Sequence, residues 1–164
     1  MKQLLLVRHA KSSWDNPMLK DFDRPLNDRG HADAPYMAKK LKDKKIAIDA
    51  FISSPAKRAI TTATYFAEAY GIKKDDIIEY KQLFNADEEA FLEVIAGTDD
   101  KFNCIAVFSH NPGISEFATE LTTTAIDDMP TCSVFAVKVK AKSWKEFAGA
   151  PKEFWFFDYP KKTA

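Results

Sequence analysis

The chain opens with Leu4-Leu5-Leu6-Val7 running directly into Arg8-His9-Ala10-Lys11-Ser12, and this junction constrains the fold more than any other stretch. Four consecutive aliphatic residues leave no polar face, so the segment reads as a strand covered on both sides. Such strands are typically parallel members of an α/β sheet. Open sheets of this kind bind ligands in the crevice beyond the carboxyl ends of their strands. Arg8 and His9 therefore stand where a site would open.

The same pattern recurs down the chain. After a loop rich in turn formers, from Ser12 to Gly30, the spacing of Ala34, Met37, Ala38 and Leu41 predicts a helix whose Lys39, Lys40, Lys42 and Lys44 form a solvated face. Ile48 to Ser53 reads as a second strand ending in Ser53-Ser54-Pro55-Ala56-Lys57-Arg58, with proline suited to the first turn of the next helix. That helix aligns Ala59, Ala63, Phe66, Ala67 and Tyr70 and stops near Gly71. Ile77 to Tyr80 is a short third strand, and Asp87 is a good N-cap for a helix burying Phe91, Val94 and Ile95. A clear fourth strand, Cys104 to Phe108, ends in Ser109-His110-Asn111-Pro112-Gly113, before a helix marked by Ile114, Phe117, Ala118 and Leu121. Ser133 to Val139 and Phe154 to Tyr159 read as closing strands, with Lys140 to Lys145 as a loop or edge between them. No linker, repeat or low-complexity segment interrupts the pattern. The expectation is one domain over residues 1–164: an α/β, three-layer α/β/α sandwich on a central, mostly parallel sheet of about five or six strands.

Charge and cysteine usage narrow the function classes. Lysine plus arginine equals aspartate plus glutamate, at 24 each, so there is no overall basic field to drive nucleic-acid binding. Cys104 and Cys132 lack CxxC spacing, which points to reduced, packed thiols in a cytoplasmic protein. No apolar run approaches the roughly 18 residues of a membrane span, so no membrane partner is expected.

Position then joins four side chains. Arg8 and His9 leave the first strand, Arg58 opens the helix after the second, and His110 leaves the fourth. If those strands are parallel, all four converge at one end of the sheet. Guanidinium forks match phosphate oxygens two at a time, and helix N-termini add backbone donors to the same anion. A neutral imidazole between arginines can attack phosphorus, while a second holds the equatorial oxygens as charge shifts. The scheme calls for no metal and no cofactor, and neither histidine has a carboxylate or cysteine partner at ligand spacing.

Arg8-His9-Ala10 behind an aliphatic strand, the run from Ser53 to Ala63, Ser109-His110-Asn111-Pro112-Gly113, and the intervening Arg24-Pro25-Leu26-Asn27-Asp28-Arg29-Gly30 together resemble the histidine phosphatase superfamily, and within it the small SixA-type phosphohistidine phosphatases. The resemblance covers nearly the whole chain. It implies a phosphoglycerate mutase-like fold, with His9 as the phosphorylated nucleophile and Arg8, Arg58 and His110 as the phosphate pocket. Relatives often carry glycine where this chain has Ala10 and Ser109; both replacements are small. The implied activity is a metal-independent phosphatase working through a phosphohistidine intermediate. Its substrate would be a phosphorylated protein, at phosphohistidine, or a small phosphate-containing compound. The alternatives are a non-catalytic phosphate-binding module and, with connections this short, less readily a phosphomutase.

Other residues have two readings each. Ser12 and Arg24 lie in loops near the first strand's exit and can line the pocket; Arg24 can equally brace its loop. His31 suits surface or capping duty; Trp14, Phe22 and Phe84 can floor a substrate cleft or pin loops, packing being the favoured use; and Asn111 can orient its loop or reach a ligand oxygen, orientation being favoured. Asp15, Asp21, Asp23, Asp87, Glu88 and Glu89 all lie where a proton donor could stand, but no motif selects one. SixA-like relatives lack the usual carboxylic acid, which is reasonable because a phosphoramidate releases a better leaving group than an alkoxide. His110 or water can then supply the proton.

Overall fold

The computed structural model describes residues 1–160. Among them, β1 (Lys2–Arg8), β2 (Ala50–Ser53), β3 (Ile78–Glu79), β4 (Cys104–Ser109), β5 (Val134–Val139) and β6 (Lys152–Asp158) form one sheet in the order β3-β2-β4-β1-β5-β6. β1 pairs in parallel with β4, β4 with β2, and β2 with β3, whereas β5 runs antiparallel to both β1 and β6. Five strands thus share one direction. The expected mostly parallel sheet is present, with its single reversal at β5.

Alternation along β1 fills both layers. Leu5 and Val7 join Met37, Ala38 and Leu41 of α1 (Asp28–Asp43) and Ala63 and Phe66 of α2 (Lys57–Ala69). Leu4 and Leu6 join Phe91 and Ile95 of α3 (Glu88–Ala96) and Ile114 and Phe117 of α4 (Gly113–Leu121). All four β1 side chains are fully buried, so polar replacement of any of them would place an unpaired group inside one apolar layer or the other.

Connectivity decides where a ligand can sit. From β1 the chain crosses through α1 to β2, and from β4 it crosses through α4 to β5, on the opposite side. The two connections leave neighbouring strands in opposite directions, which opens a crevice at the carboxyl ends of β1 and β4. Arg8 is in register with Ser109, so the residues that follow them, His9 and His110, emerge side by side.

Two local features differ from expectation. Lys40 and Lys44 are not simply solvated: their ammonium groups bond the two carboxylate oxygens of Asp158 at 2.9 and 3.0 Å, tying α1 to β6. Burial pushes the Asp158 carboxyl up, but the bonds from Lys40 and Lys44 outweigh it and hold it below the usual carboxylate range. The stretch after β5 includes a 3₁₀ segment, Trp144–Gly149, opened by a capping box between Ser143 and Glu146, and it buries Trp144 and Phe147 under the α3 side of the sheet.

At Gly30 the first turn of α1 meets the loop that follows His9. A Cβ there would lie 2.2 Å from the Lys11 carbonyl oxygen, so only glycine allows this approach. The Asn27 side chain caps the same turn by accepting from the Gly30 N–H at 2.9 Å. Among the described residues no helix is long and apolar enough to cross a membrane. Both cysteines are buried free thiols, and burial pushes the Cys104 thiol up to about 12 and raises that of Cys132 further.

Candidate active site

The crevice beyond β1 and β4 is a cleft of about 340 Å³ lined by Arg8, His9, Lys11, Ser12, Trp14, Asp21, Arg24, Arg58, Asn85, His110, Asn111 and Thr131. All six residues singled out from the sequence as site candidates are on its wall. Larger depressions elsewhere on the surface lack its chemistry: one is bordered by Ser13 to Arg29, another by the aromatic run of β6.

His9 is held in one chemical form. Its Nδ1 lies 2.7 Å from the Ala10 carbonyl oxygen, which can only accept, so Nδ1 carries the proton. Its Nε2 faces the Arg58 Nε–H at 3.4 Å, which can only donate, so Nε2 carries the lone pair. Burial lowers the imidazole pKa from 6.5 to about 3 against the opposing Ala10 bond, with the positive charges of Arg58, Arg8 and Arg24 adding to the depression. The ring is therefore neutral at physiological pH, with Nε2 available to an electrophile.

His110 lies beside it, the ring centroids 5.1 Å apart and the planes tilted by 52°. Its Nε2 shares a 2.7 Å hydrogen bond with the Ser54 hydroxyl, while Nδ1 is buried with no hydrogen-bond partner among the described residues. Burial again lowers its pKa to about 3, helped by His9 and Arg58. Phe84 stands edge-on to the His110 ring and in turn receives Phe22 edge-on. These two aromatics brace the imidazole.

Three guanidiniums surround the pair. Arg8 Nη1 donates to the Met129 carbonyl at 2.8 Å. Arg24 donates through Nε to Asp21 at 3.1 Å and stacks its guanidinium 3.5 Å from the centroid of the exposed Trp14 ring. Among the described residues, the buried Arg8 Nε and Arg24 Nη1 have no hydrogen-bond partner. Arg58 places Nη1 on the Asp21 carbonyl at 2.5 Å and Nη2 on the Asp21 carboxylate at 3.0 Å. Burial lowers the Arg8 and Arg58 pKa values, against support from Asp128 and Asp21 respectively. Arg8, Lys11, Arg24 and Arg58 line the cleft against one carboxylate, Asp21, and the buried Arg8 Nε and Arg24 Nη1 have no acceptor among the described residues, an arrangement suited to an anion with several oxygens.

Asp21, one of six carboxylates the sequence left undistinguished, is the one that reaches the cleft wall. It sits in a 3₁₀ turn, Asp21–Asp23, that buries no residue. Burial pushes its carboxyl up, but the Arg58 bond and the charges of Arg58 and Arg24 outweigh this and hold it below the usual range. At neutral pH it is ionised and has no proton to give.

Some functional neighbours were not foreseen. Ser54, which touches His110, leaves β2 at the level where β1 and β4 release Arg8 and Ser109; equivalence of strand exits is the signal that would have marked it. Thr62 lies one helical turn after Arg58, on the same face of α2. The 111–129 node gives no sequence signal: Asn111 and the Ser115 hydroxyl both bond the Asp128 carboxylate, and Ser115 also accepts the Met129 N–H at 3.0 Å. This node holds the carbonyl that orients Arg8, consistent with an orienting Asn111. His31 is exposed on α1 and shares a 2.8 Å bond with the Tyr65 hydroxyl, away from the cleft. Among the described residues no cluster of His, Cys, Asp and Glu suits a metal ion.

The model of the histidine phosphatase superfamily (branch 1) matches residues 4–87. A crystal structure of a candidate phosphohistidine phosphatase SixA from Agrobacterium tumefaciens superposes with a TM-score of 0.81 at 25% identity, covering 97% of this chain and 98% of that one. The protein histidine phosphatase SixA in complex with tungstate superposes with a TM-score of 0.79 at 22% identity, covering 96% and 97%. An uncharacterized chloroplastic protein of Arabidopsis thaliana is 29% identical over 88% of this chain and 70% of its own length. The two structural likenesses extend over nearly the whole chain.

Proposed function

This chain belongs to the histidine phosphatase superfamily, and from that premise we propose that it is a metal-independent phosphatase that carries the phosphoryl group on His9 and takes phosphohistidine in a protein as its substrate. The observation that carries this reading is the state of His9: neutral, protonated at Nδ1 by its bond to the Ala10 carbonyl, and presenting Nε2 to the cleft among three guanidiniums. Arg8, Arg24 and Arg58 take the phosphoryl oxygens, supplying the positive charge that the transition state gathers. His110 lies across the same oxygens.

The lone pair of His9 Nε2 forms a bond to phosphorus as the bond from phosphorus to the substrate's nitrogen breaks, and the electron pair of that bond leaves with the substrate. Water then attacks phosphorus on the opposite side from Nε2, the P–N bond to His9 breaks, and inorganic phosphate departs. The proton balance selects the leaving group. Asp21 is ionised by Arg58 and Arg24, so it provides no acid to an alkoxide. A phosphorylated imidazole that already carries a proton on its other nitrogen leaves neutral and needs none.

Two free, buried cysteines fit work in a reducing compartment such as the cytoplasm. The test compares kcat/KM for a phosphohistidine protein, phosphoserine and p-nitrophenyl phosphate, with and without a chelator. The reading requires the phosphohistidine protein to be preferred and the chelator to be without effect. Preference for phosphoserine, or loss of turnover on chelation, would overturn it.

A further inference from the structure

A circuit of four hydrogen bonds leaves the His9 ring and returns to it, and three of the four use the backbone of Ala10 or the hydroxyl of one buried threonine. The His9 Nδ1–H donates to the Ala10 carbonyl at 2.7 Å. The Ala10 N–H donates to Thr62 Oγ1 at 3.0 Å, across 52 positions of sequence. The Thr62 hydroxyl proton goes to the Arg58 carbonyl at 2.8 Å. The Arg58 side chain closes the circuit, its Nε–H directed at His9 Nε2 at 3.4 Å.

Back-bonding of a threonine to the carbonyl one turn earlier is ordinary in this helix, and Thr61 and Thr64 do the same. The acceptor half of the Thr62 hydroxyl is what differs. Ala10 lies just past the end of β1 and is completely buried, as is Thr62. Its N–H is out of reach of water, and the hydroxyl is the partner recorded for it. Without that partner a buried donor is orphaned, and residue 10 gains by turning to find another acceptor. Its carbonyl then moves off Nδ1. The imidazole proton is no longer tied to Nδ1 and is free to sit on Nε2, where it blocks the lone pair.

We propose that Thr62 is a positioning residue for the nucleophile, fixing the tautomer and aim of His9 through the Ala10 peptide. The inference rests on His9 being the nucleophile. It goes further in assigning control of that nucleophile to a side chain that does not touch substrate.

The test uses Thr62→Val, which keeps the shape and removes the hydroxyl, beside Thr62→Ser, which keeps the hydroxyl. For Thr62→Val, kcat should fall roughly tenfold or more, the scale of loss seen when hydrogen-bonded partners that orient metal-ligating imidazoles are removed, while tungstate affinity stays within about twofold. Thr62→Ser should restore kcat. In ¹H–¹⁵N correlation spectra of the ring, His9 should be protonated at Nδ1 in the wild type and Thr62→Ser, and should show Nε2 protonation in Thr62→Val. If Thr62→Val does not fold, Thr62→Ala removes the same hydroxyl without crowding and gives the same readouts. An unchanged His9 tautomer with unchanged kcat would overturn the inference and leave the phosphatase reading standing. Retained turnover in His9→Gln would instead sink the reading beneath it.

Discussion

Two neutral imidazoles buried side by side make the fold acid-sensitive in a pH window where most proteins are not. His9 and His110 each have a pKa lowered from the ordinary 6.5 to about 3, burial being the leading cause in both. For a base with a depressed folded-state value, the unfolded chain takes up the proton that the folded chain refuses. Their contribution is therefore fully present above about pH 6.5, is lost as pH falls, and levels off only near pH 3. At 1.36 kcal/mol for each pH unit, the 1.5 units from 6.5 to 5 remove about 2 kcal/mol per ring, or about 4 kcal/mol for the pair. That is a large part of the roughly 5–15 kcal/mol by which domains are stable. Asp21, Asp100 and Asp158 also have lowered values, but their ordinary value of 3.8 puts their loss below pH 5. Urea denaturation followed by circular dichroism at pH 8 and pH 5, in buffers free of phosphate, reads the effect directly. The wild type should lose several kcal/mol, and the double variant His9→Gln/His110→Gln should lose little. An equal fall in both proteins would refute the assignment of this acid sensitivity to the two rings.

Two further perturbations probe the walls of the cleft. Asp21 occupies the Arg58 fork from outside, with Nη1 on its carbonyl and Nη2 on its carboxylate, while Nε faces His9; neither two-point face of the guanidinium is free. Asp21→Asn should therefore tighten tungstate binding by roughly fivefold, the scale of one exposed ion pair, and calorimetry showing weaker binding would contradict this. Gly30→Ala should cost about 1–3 kcal/mol and weaken tungstate binding as well, because the new Cβ drives into the Lys11 carbonyl 2.2 Å away; an unchanged thermal midpoint would show that the loop yields freely.

How much of this was legible before any coordinates depends on where each signal lies. The buried strands were plain because a run such as Leu4 to Val7 has no other use, and helix starts with a capping side chain, such as Asp87 accepting the Ala90 N–H, follow from local chemistry. The meeting of Arg8, His9, Arg58 and His110 at one end of the sheet follows once the strands are taken as parallel, whereas the strand order is seen only in the fold. The helix expected from the stripe Ala34 to Leu41 runs on through Pro35, where a proline ordinarily ends a helix. Single charged residues were less legible. Lys40 and Lys44 looked like solvent-facing charges because their partner, Asp158, is more than a hundred positions away. Asp21 was one carboxylate among six for a related reason: what distinguishes it is two arginines that only the tertiary fold brings to it. Thr62 reads as a helical residue of no distinction until β1 is laid against α2.

The most direct measurement is the site of the covalent intermediate. The protein is mixed with a phosphohistidine protein, quenched within a turnover under alkaline conditions that preserve phosphoramidates, and mapped by mass spectrometry and ³¹P NMR. A phosphoryl group on Nε2 of His9 is the predicted result, since Nδ1 holds the proton that bonds the Ala10 carbonyl. Phosphorylation at Nδ1 of His9 or at His110, or turnover through an enzyme that never carries phosphate, would contradict the central claim.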